Sequence, residues 1–208
     1  MYTALYDLQD RVLETVFSID SGFYLTGGTC LHRFYYNKRY SDDLDFFSND
    51  NNLFREEYRA TLEKLKNLSF KVVADTRDFV RLQVNELLQV DFVNDRVKYC
   101  GNINRTENGL RIDNSRNILA NKISAVIGRD EPKDIFDIYT IAQNEHVEWK
   151  LAIDDARQKC VFEDDELEFR LKNFPVLLLE NLNVIDLAFR DELLRNYNSF
   201  VNSIASSI

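Results

Sequence analysis

Two aspartates one residue apart, in the apolar run Asp43-Leu44-Asp45-Phe46-Phe47, limit what this chain can fold into more than any other feature. Side chains alternate faces along a strand, so Asp43 and Asp45 share one face while Leu44 and Phe46 share the other. Acidic residues are poor strand formers, and like charges on one face repel. Something positive should therefore sit between them. At a strand rise of roughly 3.3 Å per residue the two carboxylates lie about 7 Å apart at Cα, close enough to converge on one or two divalent cations. The plainer alternative is a solvated strand end in which Asp42 and Asp43 serve as turn residues. Just upstream, the strand-like GFYLTGG ends at Gly27 and Gly28, and a helical pattern, TCLHRFYYNKR, begins. Glycine lets the backbone turn sharply and approach a ligand, and free N–H groups at a helix start attract phosphate. Thr29 can add a hydroxyl. A tight turn and nothing more is the competing reading of the two glycines.

Asp91 is the third acid of interest. It lies in LLQVDFVND, flanked by Val90, Phe92 and Val93, where a charge needs a partner unless the strand is at an edge with the aspartate turned outward. A phosphate-holding turn, an Asp-x-Asp strand and a further strand aspartate together match what two-metal phosphoryl chemistry needs. Around them, the first twenty residues read as an amphipathic helix, with Leu5, Leu8, Val12 and Val16 near helical spacing. Residues 49–67 read as a helix whose asparagine-rich start can cap it. SFKVVADT, DFVRLQVN and LLQVDFVND read as strands, the last two as an antiparallel hairpin. CGNINRTENG is a turn-rich connector. From Asn117 the pattern is helical throughout, with Pro132 in a first turn and a long helical segment after Pro175. The expected layout is an α/β domain, residues 1–115, followed by a helical domain, residues 116–208.

Composition removes several functional classes. The net charge is −9 with a pI near 4.8, so no general nucleic-acid-binding surface is expected, although a local basic patch could hold one phosphate-bearing ligand. The 3 cysteines, Cys30, Cys100 and Cys160, are scattered with no C-x-x-C pair, and the 2 histidines, His32 and His146, are unrelated in position. Neither a zinc site nor a disulfide framework is indicated, and cytoplasm is the expected compartment. His32 reads as a semi-exposed helix residue without a role. The N-terminus lacks the pattern of a signal peptide, and apolar runs such as Val176–Leu179 are far too short to span a bilayer, so a soluble protein is expected.

The same residues carry a resemblance. The sequence resembles the DUF1814 group of nucleotidyltransferases, the AbiEii/AbiGii-type toxins of type IV toxin–antitoxin and abortive-infection systems. These share a G-[GS]-[TS] turn, a helix, and R-x-S-x-D-h-D-h with h apolar. Here that reads Gly27-Gly28-Thr29, then Arg39, Ser41, Asp43, Leu44, Asp45 and Phe46. The family's later strand aspartate matches Asp91. Its K-x-x-A-x-x-x-R and K-D-h-h-D motifs match Lys122, Ala125 and Arg129, then Lys133, Asp134 and Asp137. The match spans residues 24 to about 142. Ordinary surface ion pairing is the alternative for these helical charges, since Lys122 and Arg129 share a helix face, as do Lys133 and Asp137.

What the resemblance implies is an α+β fold with a mixed sheet, flanking helices and a helical C-terminal half. It also implies a metal-dependent enzyme moving NMP from an NTP to an acceptor hydroxyl. Gly27, Gly28, Thr29 and Ser41 would hold the triphosphate. Asp43 and Asp45 would bind Mg²⁺, and Asp91 would complete a second metal site and accept the hydroxyl proton. Lys122 would hold a nucleotide phosphate, and Asp137 would orient such a basic group or contact the nucleotide. Arg129 and Asp134 would form supporting salt bridges. A tRNA 3′ end is one acceptor the resemblance suggests, and a cognate antitoxin is a partner. A monomer that does not engage membranes is expected. The rival readings are a non-catalytic nucleotide- or antitoxin-binding module and an aminoglycoside-type, small-molecule nucleotidyltransferase.

Overall fold

Side-chain alternation sorts the central sheet into an apolar face and a charged one. The computed structural model describes residues 2–207; Met1, where the expected N-terminal helix would begin, and Ile208 lie outside the described residues. The first half contains α1 (Tyr2–Phe17), β1 (Tyr24–Thr26), α2 (Gly27–Leu31), β2 (Asp43–Asn49), α3 (Phe54–Leu65), β3 (Phe70–Asp75), β4 (Phe79–Val84), β5 (Leu88–Asp95), β6 (Asn104–Arg105) and β7 (Arg111–Ile112). Together the strands form one mixed sheet in the order β3-β4-β5-β2-β1-β7-β6. On one face Leu25, Leu44, Phe46, Val80, Leu82, Val90 and Phe92 are all completely buried. α1 and α3 pack together with their apolar stripes buried, and α1 lies against β5. The Phe46 and Phe92 rings stack at 5.3 Å, with Phe17 edge-on to Phe46 and Phe23 edge-on to Phe92. Each such ring removed from water contributes about 1.5–3 kcal/mol. That is what fixes the sheet's register and leaves Asp43 and Asp45 on the opposite face.

Strands β4 and β5 form the expected antiparallel hairpin, its turn using Asn85 and Glu86 at positive φ. β5 is an interior strand, parallel to β2 on its other side, so Asp91 does not point off a sheet edge. Three local expectations are corrected. β2 continues through Asn49, so the following helix starts only at Phe54; Asn51 makes the turn, accepting from the Leu53 amide at 2.8 Å and donating to Glu57. The polar connector contains the short hairpin β6–β7, and β7 joins the sheet parallel to β1. The helix after the two glycines widens into a π-helical turn at His32–Tyr36 and stops at Asn37, which adopts the left-handed conformation.

Beyond Asn114 come α4 (Ser115–Gly128), α5 (Pro132–Asn144), α6 (Trp149–Arg157), α7 (Asp164–Lys172) and α8 (Leu187–Ala205). Pro132 opens α5 as expected, and the Glu131 side chain caps the Lys133 amide. α4 is packed by α5, α6 and α7, with Ile118, Leu119, Ala120, Ile123 and Val126 buried. The segment after Pro175 is not one helix: a 3₁₀ turn, Val176–Asn181, precedes an extended stretch, and Asp186 then caps α8 through the Phe189 amide. The described residues fall into two compact units. One comprises the chain up to Cys30 plus Ser41–Asn114, and the other Leu31–Tyr40 plus the chain from Ser115. The second unit therefore includes a segment that a single cut at 115 would have left in the first, tied in by the bridge between Arg39 and Val184. No helix among the described residues is long and apolar enough to cross a membrane. The architecture is α+β, a mixed sheet with flanking helices followed by a helical half.

Candidate active site

In the first unit, strand register gathers the acids. Asp45 is paired with Asp91 across the parallel β2–β5 ladder, Asp43 with Gln89, and Arg81 on β4 with Asp91 across the hairpin. Neighbours in register project to the same side of a sheet, so Asp43, Asp45, Asp91 and Arg81 all stand on the face opposite the phenylalanine core. Arg81 grips Asp91 with two parallel hydrogen bonds, Nε to Oδ1 at 2.8 Å and Nη2 to Oδ2 at 2.6 Å. Gln89 Nε2 lies 3.4 Å from the same Oδ2. The Arg81 guanidinium is held above its ordinary pKa first by the hydrogen bond to Asp91, then, against partial burial, by the charges of Asp91, Asp45 and Asp43. One cation thus faces all three carboxylates. Sequence reasoning did not single out Arg81, yet the signal was there. The short hairpin between DFVRLQVN and LLQVDFVND brings position 81 opposite position 91.

The glycine turn abuts this face. Gly27 has φ +71, and a Cβ built on it would overlap Asp45 Oδ2, so the turn needs glycine for its conformation and for the close approach of that carboxylate. Gly28 lies in the first turn of α2. Thr29 is completely buried, and its hydroxyl donates to the Asp43 carbonyl oxygen. This departs from the expectation that the hydroxyl faces phosphate: its one proton ties α2 to β2 and fixes where Asp43 starts. Ser41 is buried, with Oγ 3.5 Å from Asp43 Oδ1 and its carbonyl oxygen accepting from Gln9 at 3.0 Å.

In the second unit a separate set of charges is paired around two buried aspartates. Asp137 is wholly buried and accepts from Arg39 Nε and Nη2, both at 2.8 Å, from Lys122 Nζ at 2.7 Å and from His32 Nε2 at 2.8 Å. Lys122 Nζ also donates to the buried Asp134 at 2.9 Å, and Arg129 grips Asp134 through Nε and Nη2 at 2.7 and 3.1 Å. These are not the surface pairs of solvated helices. His32, expected to be semi-exposed, is 1% exposed. Its Nδ1 accepts from the Lys38 amide, which leaves Nε2 as the donor to Asp137. Burial lowers the His32 pKa despite the pull of Asp137, so the ring is neutral near pH 7. Burial alone would raise Asp137, but Arg39, Lys122 and His32 hold it well below the usual carboxylate range. Burial opposes the charge on Lys122 as well, and Asp137 and Asp134 nevertheless raise its pKa.

The family model of the AbiEii nucleotidyltransferase toxins of type IV toxin–antitoxin systems matches residues 11–207 of this sequence. The chain belongs to this family. Among solved structures, the AbiEii-type chain is similar to JHP933 from Helicobacter pylori, with 22% identity, 98% of this chain and 93% of that one covered, and a TM-score of 0.60. It is also similar to MenT4, a nucleotidyltransferase toxin from Mycobacterium tuberculosis, with 15% identity, 96% and 83% covered, and a TM-score of 0.60. At these identities the likeness is one of fold. No curated protein matches the sequence. The AbiEii toxins are nucleotidyltransferases, and this chain is one.

Enzymes of this kind generally use a divalent cation, and the first unit can be tested for its fit. The donors on its charged face are all carboxylate oxygens, the chemistry that hard cations such as Mg²⁺ require, and they come from two adjacent strands in register. The fit in kind and placement is good. The side chains as they stand do not yet close on an ion: among the described residues no three His, Cys, Asp or Glu groups converge as a ligand set. Asp91 has both oxygens bonded to Arg81.

Proposed function

We propose that the charged face of the first unit transfers NMP from an NTP to an acceptor hydroxyl, working with Mg²⁺. The observation that carries this is the in-register set Asp43, Asp45 and Asp91 on the face of the sheet away from the apolar core, beside the Gly27 turn. The backbone of Gly27, Gly28 and Thr29 would hold the triphosphate, with Ser41 nearby. Asp43, Asp45 and Asp91 would hold Mg²⁺, as one ion or two. Bound there, Mg²⁺ supplies positive charge to the phosphate oxygens. The acceptor oxygen attacks the α-phosphorus and a new P–O bond forms. The bond from the α-phosphorus to the oxygen bridging it to the β-phosphorus breaks, and pyrophosphate leaves with that electron pair. The hydroxyl proton passes to Asp91 in states where Arg81 does not hold both its oxygens.

From the second unit, Lys122 would bind nucleotide phosphate. Support comes from the gathering of cations: Arg39, Lys122 and Arg129 converge on Asp137 and Asp134. Asp137 is then an orienting group, since all its bonds described above go to side chains of this chain. With a net charge of −9, a tRNA 3′ end as acceptor would have to be held by such local positive charge. We take the toxin to act as a monomer in the cytoplasm, restrained by a cognate antitoxin.

Purified protein with Mg²⁺, each α-labelled NTP in turn, and separate pools of RNA, protein and aminoglycosides tests the reading. Label in the RNA pool supports the tRNA acceptor, and label among aminoglycosides moves the substrate class to small molecules. Absence of label in every pool, together with unaltered melting on adding Mg²⁺ and NTP, would contradict transfer and favour a binding module.

A further inference from the structure

We infer that Arg81 is a built-in counter-cation of the carboxylate face, competing with the divalent metal for Asp91. The inference rests on reading Asp43, Asp45 and Asp91 as the metal-binding set, and concerns what occupies that set between turnovers.

Three observations lead there. Three carboxylates on one face of adjacent strands repel one another, and a positive charge among them relieves that repulsion. The structure provides that charge from its own chain: Arg81 bonds both oxygens of Asp91 and lies within electrostatic reach of Asp45 and Asp43. The two partners also differ in freedom. Asp91 sits on an interior strand with its side chain 8% exposed, whereas the Arg81 side chain is 38% exposed. When the pair opens, the long arginine swings and the aspartate stays where it is. A pair with one partner in solvent is held only modestly, so a doubly charged ion can displace it. With both Asp91 oxygens bonded to the guanidinium, a metal ion approaching their remaining lone pairs meets that positive charge at close range. Metal entry and the Arg81–Asp91 pair therefore compete with each other.

Mn²⁺ binding to the nucleotide-free protein, read by electron paramagnetic resonance of the free ion, tests this without any activity assay. Arg81→Ala should bind Mn²⁺ about tenfold more tightly than wild type, the scale of one displaced charge-assisted pair. Arg81→Lys should fall between, because an ammonium keeps the charge but loses the fork. In an Asp91→Asn background, Arg81→Ala should gain much less, since the contested ligand is gone. Equal Mn²⁺ affinity in wild type and both Arg81 variants would overturn the inference while leaving the metal site intact. An equal gain with and without Asp91 would also overturn it, reducing Arg81 to general electrostatics. If Asp43→Asn binds Mn²⁺ as wild type does, the proposed metal site itself fails. Arg81→Lys keeps the test decisive should Arg81→Ala not fold.

Discussion

The carboxylate face of the sheet and the ion cluster around Asp137 contain the same residue types and treat them in opposite ways. Around Asp137 and Asp134, two fully buried carboxylates meet three cations and a neutral imidazole, and five separate polar contacts to Asp137 and Lys122 lie between 2.7 and 2.9 Å. On the sheet, three carboxylates stand on one face within electrostatic reach of Arg81, and Asp43 and Asp45 are half-buried. The first arrangement is charge paired inside the protein; the second is negative charge gathered on a partly accessible face. Closed charge fixes a structure, because removing any member strands the rest. Like charge gathered on a stiff, partly accessible strand costs stability and persists where a ligand uses it. The distinction separates the two clusters by physics rather than by motif, although the family's motifs run through both.

The sharpest way to break the contrast is to open the closed cluster. Asp137→Ala should cost about 3–5 kcal/mol of stability in urea unfolding, because Arg39, 2% exposed, is left buried without its main partner. Asp43→Asn should cost nothing or stabilise, since it relieves repulsion. A loss at Asp43 equal to that at Asp137 would erase the difference between the two regions.

Lys122 tests whether the closed cluster also acts on substrate. Lys122→Ala should cut turnover on the order of 10²-fold, roughly 3 kcal/mol of transition-state stabilisation. A destabilisation seen in melts has to be separated from this by assaying well below the melting temperature. Lys133→Ala is the control, with near-wild-type rate and stability. Equal rates for both variants would confine the chemistry to the sheet.

Gly27→Ala probes the meeting of turn and carboxylate. It should destabilise by about 1–3 kcal/mol, from the left-handed φ and the overlap with Asp45. Asp45→Asn keeps the side chain's size, so the penalty should persist in the double variant; its disappearance would show that charge, not space, sets the glycine.

The smallest expected effect is in pH. His32 has a folded pKa below 6.5, so the unfolded chain takes up its proton first as pH falls. The stability is complete above about pH 6.5 and declines below it, by less than about 1.4 kcal/mol per pH unit. Asp137, depressed by its cations, contributes at every pH above the ordinary carboxylate range and is lost only below it. Melts at pH 7, 6 and 5 should fall faster for wild type than for His32→Gln; parallel slopes would contradict the buried neutral ring.

Much of this was legible in the sequence, and unevenly so. Asp43 and Asp45 announced themselves because alternation converts spacing directly into a shared face, and the β4–β5 hairpin followed from two short strands with little between them. Arg81 was missed because a lone arginine in a strand reads as a solvent-facing residue until the strand beside it and its register are known. His32 was misjudged for a related reason: its burial depends on Asp137, 105 positions away. β6 and β7 are two residues each and leave no periodicity to read. The part Thr29 plays turned on which acceptor its hydroxyl finds, a carbonyl at position 43 that no local pattern marks.

The central claim is that the carboxylates gathered on the sheet's accessible face are the reacting face, and Asp45→Asn measures it most directly. Wild type and variant, matched for folding by their melting curves, are given Mg²⁺, α-labelled NTP and the acceptor pool in which wild type deposits label. The account predicts that Asp45→Asn melts at or above the wild-type temperature and transfers no detectable label. Transfer at the wild-type rate by a folded Asp45→Asn protein would contradict it.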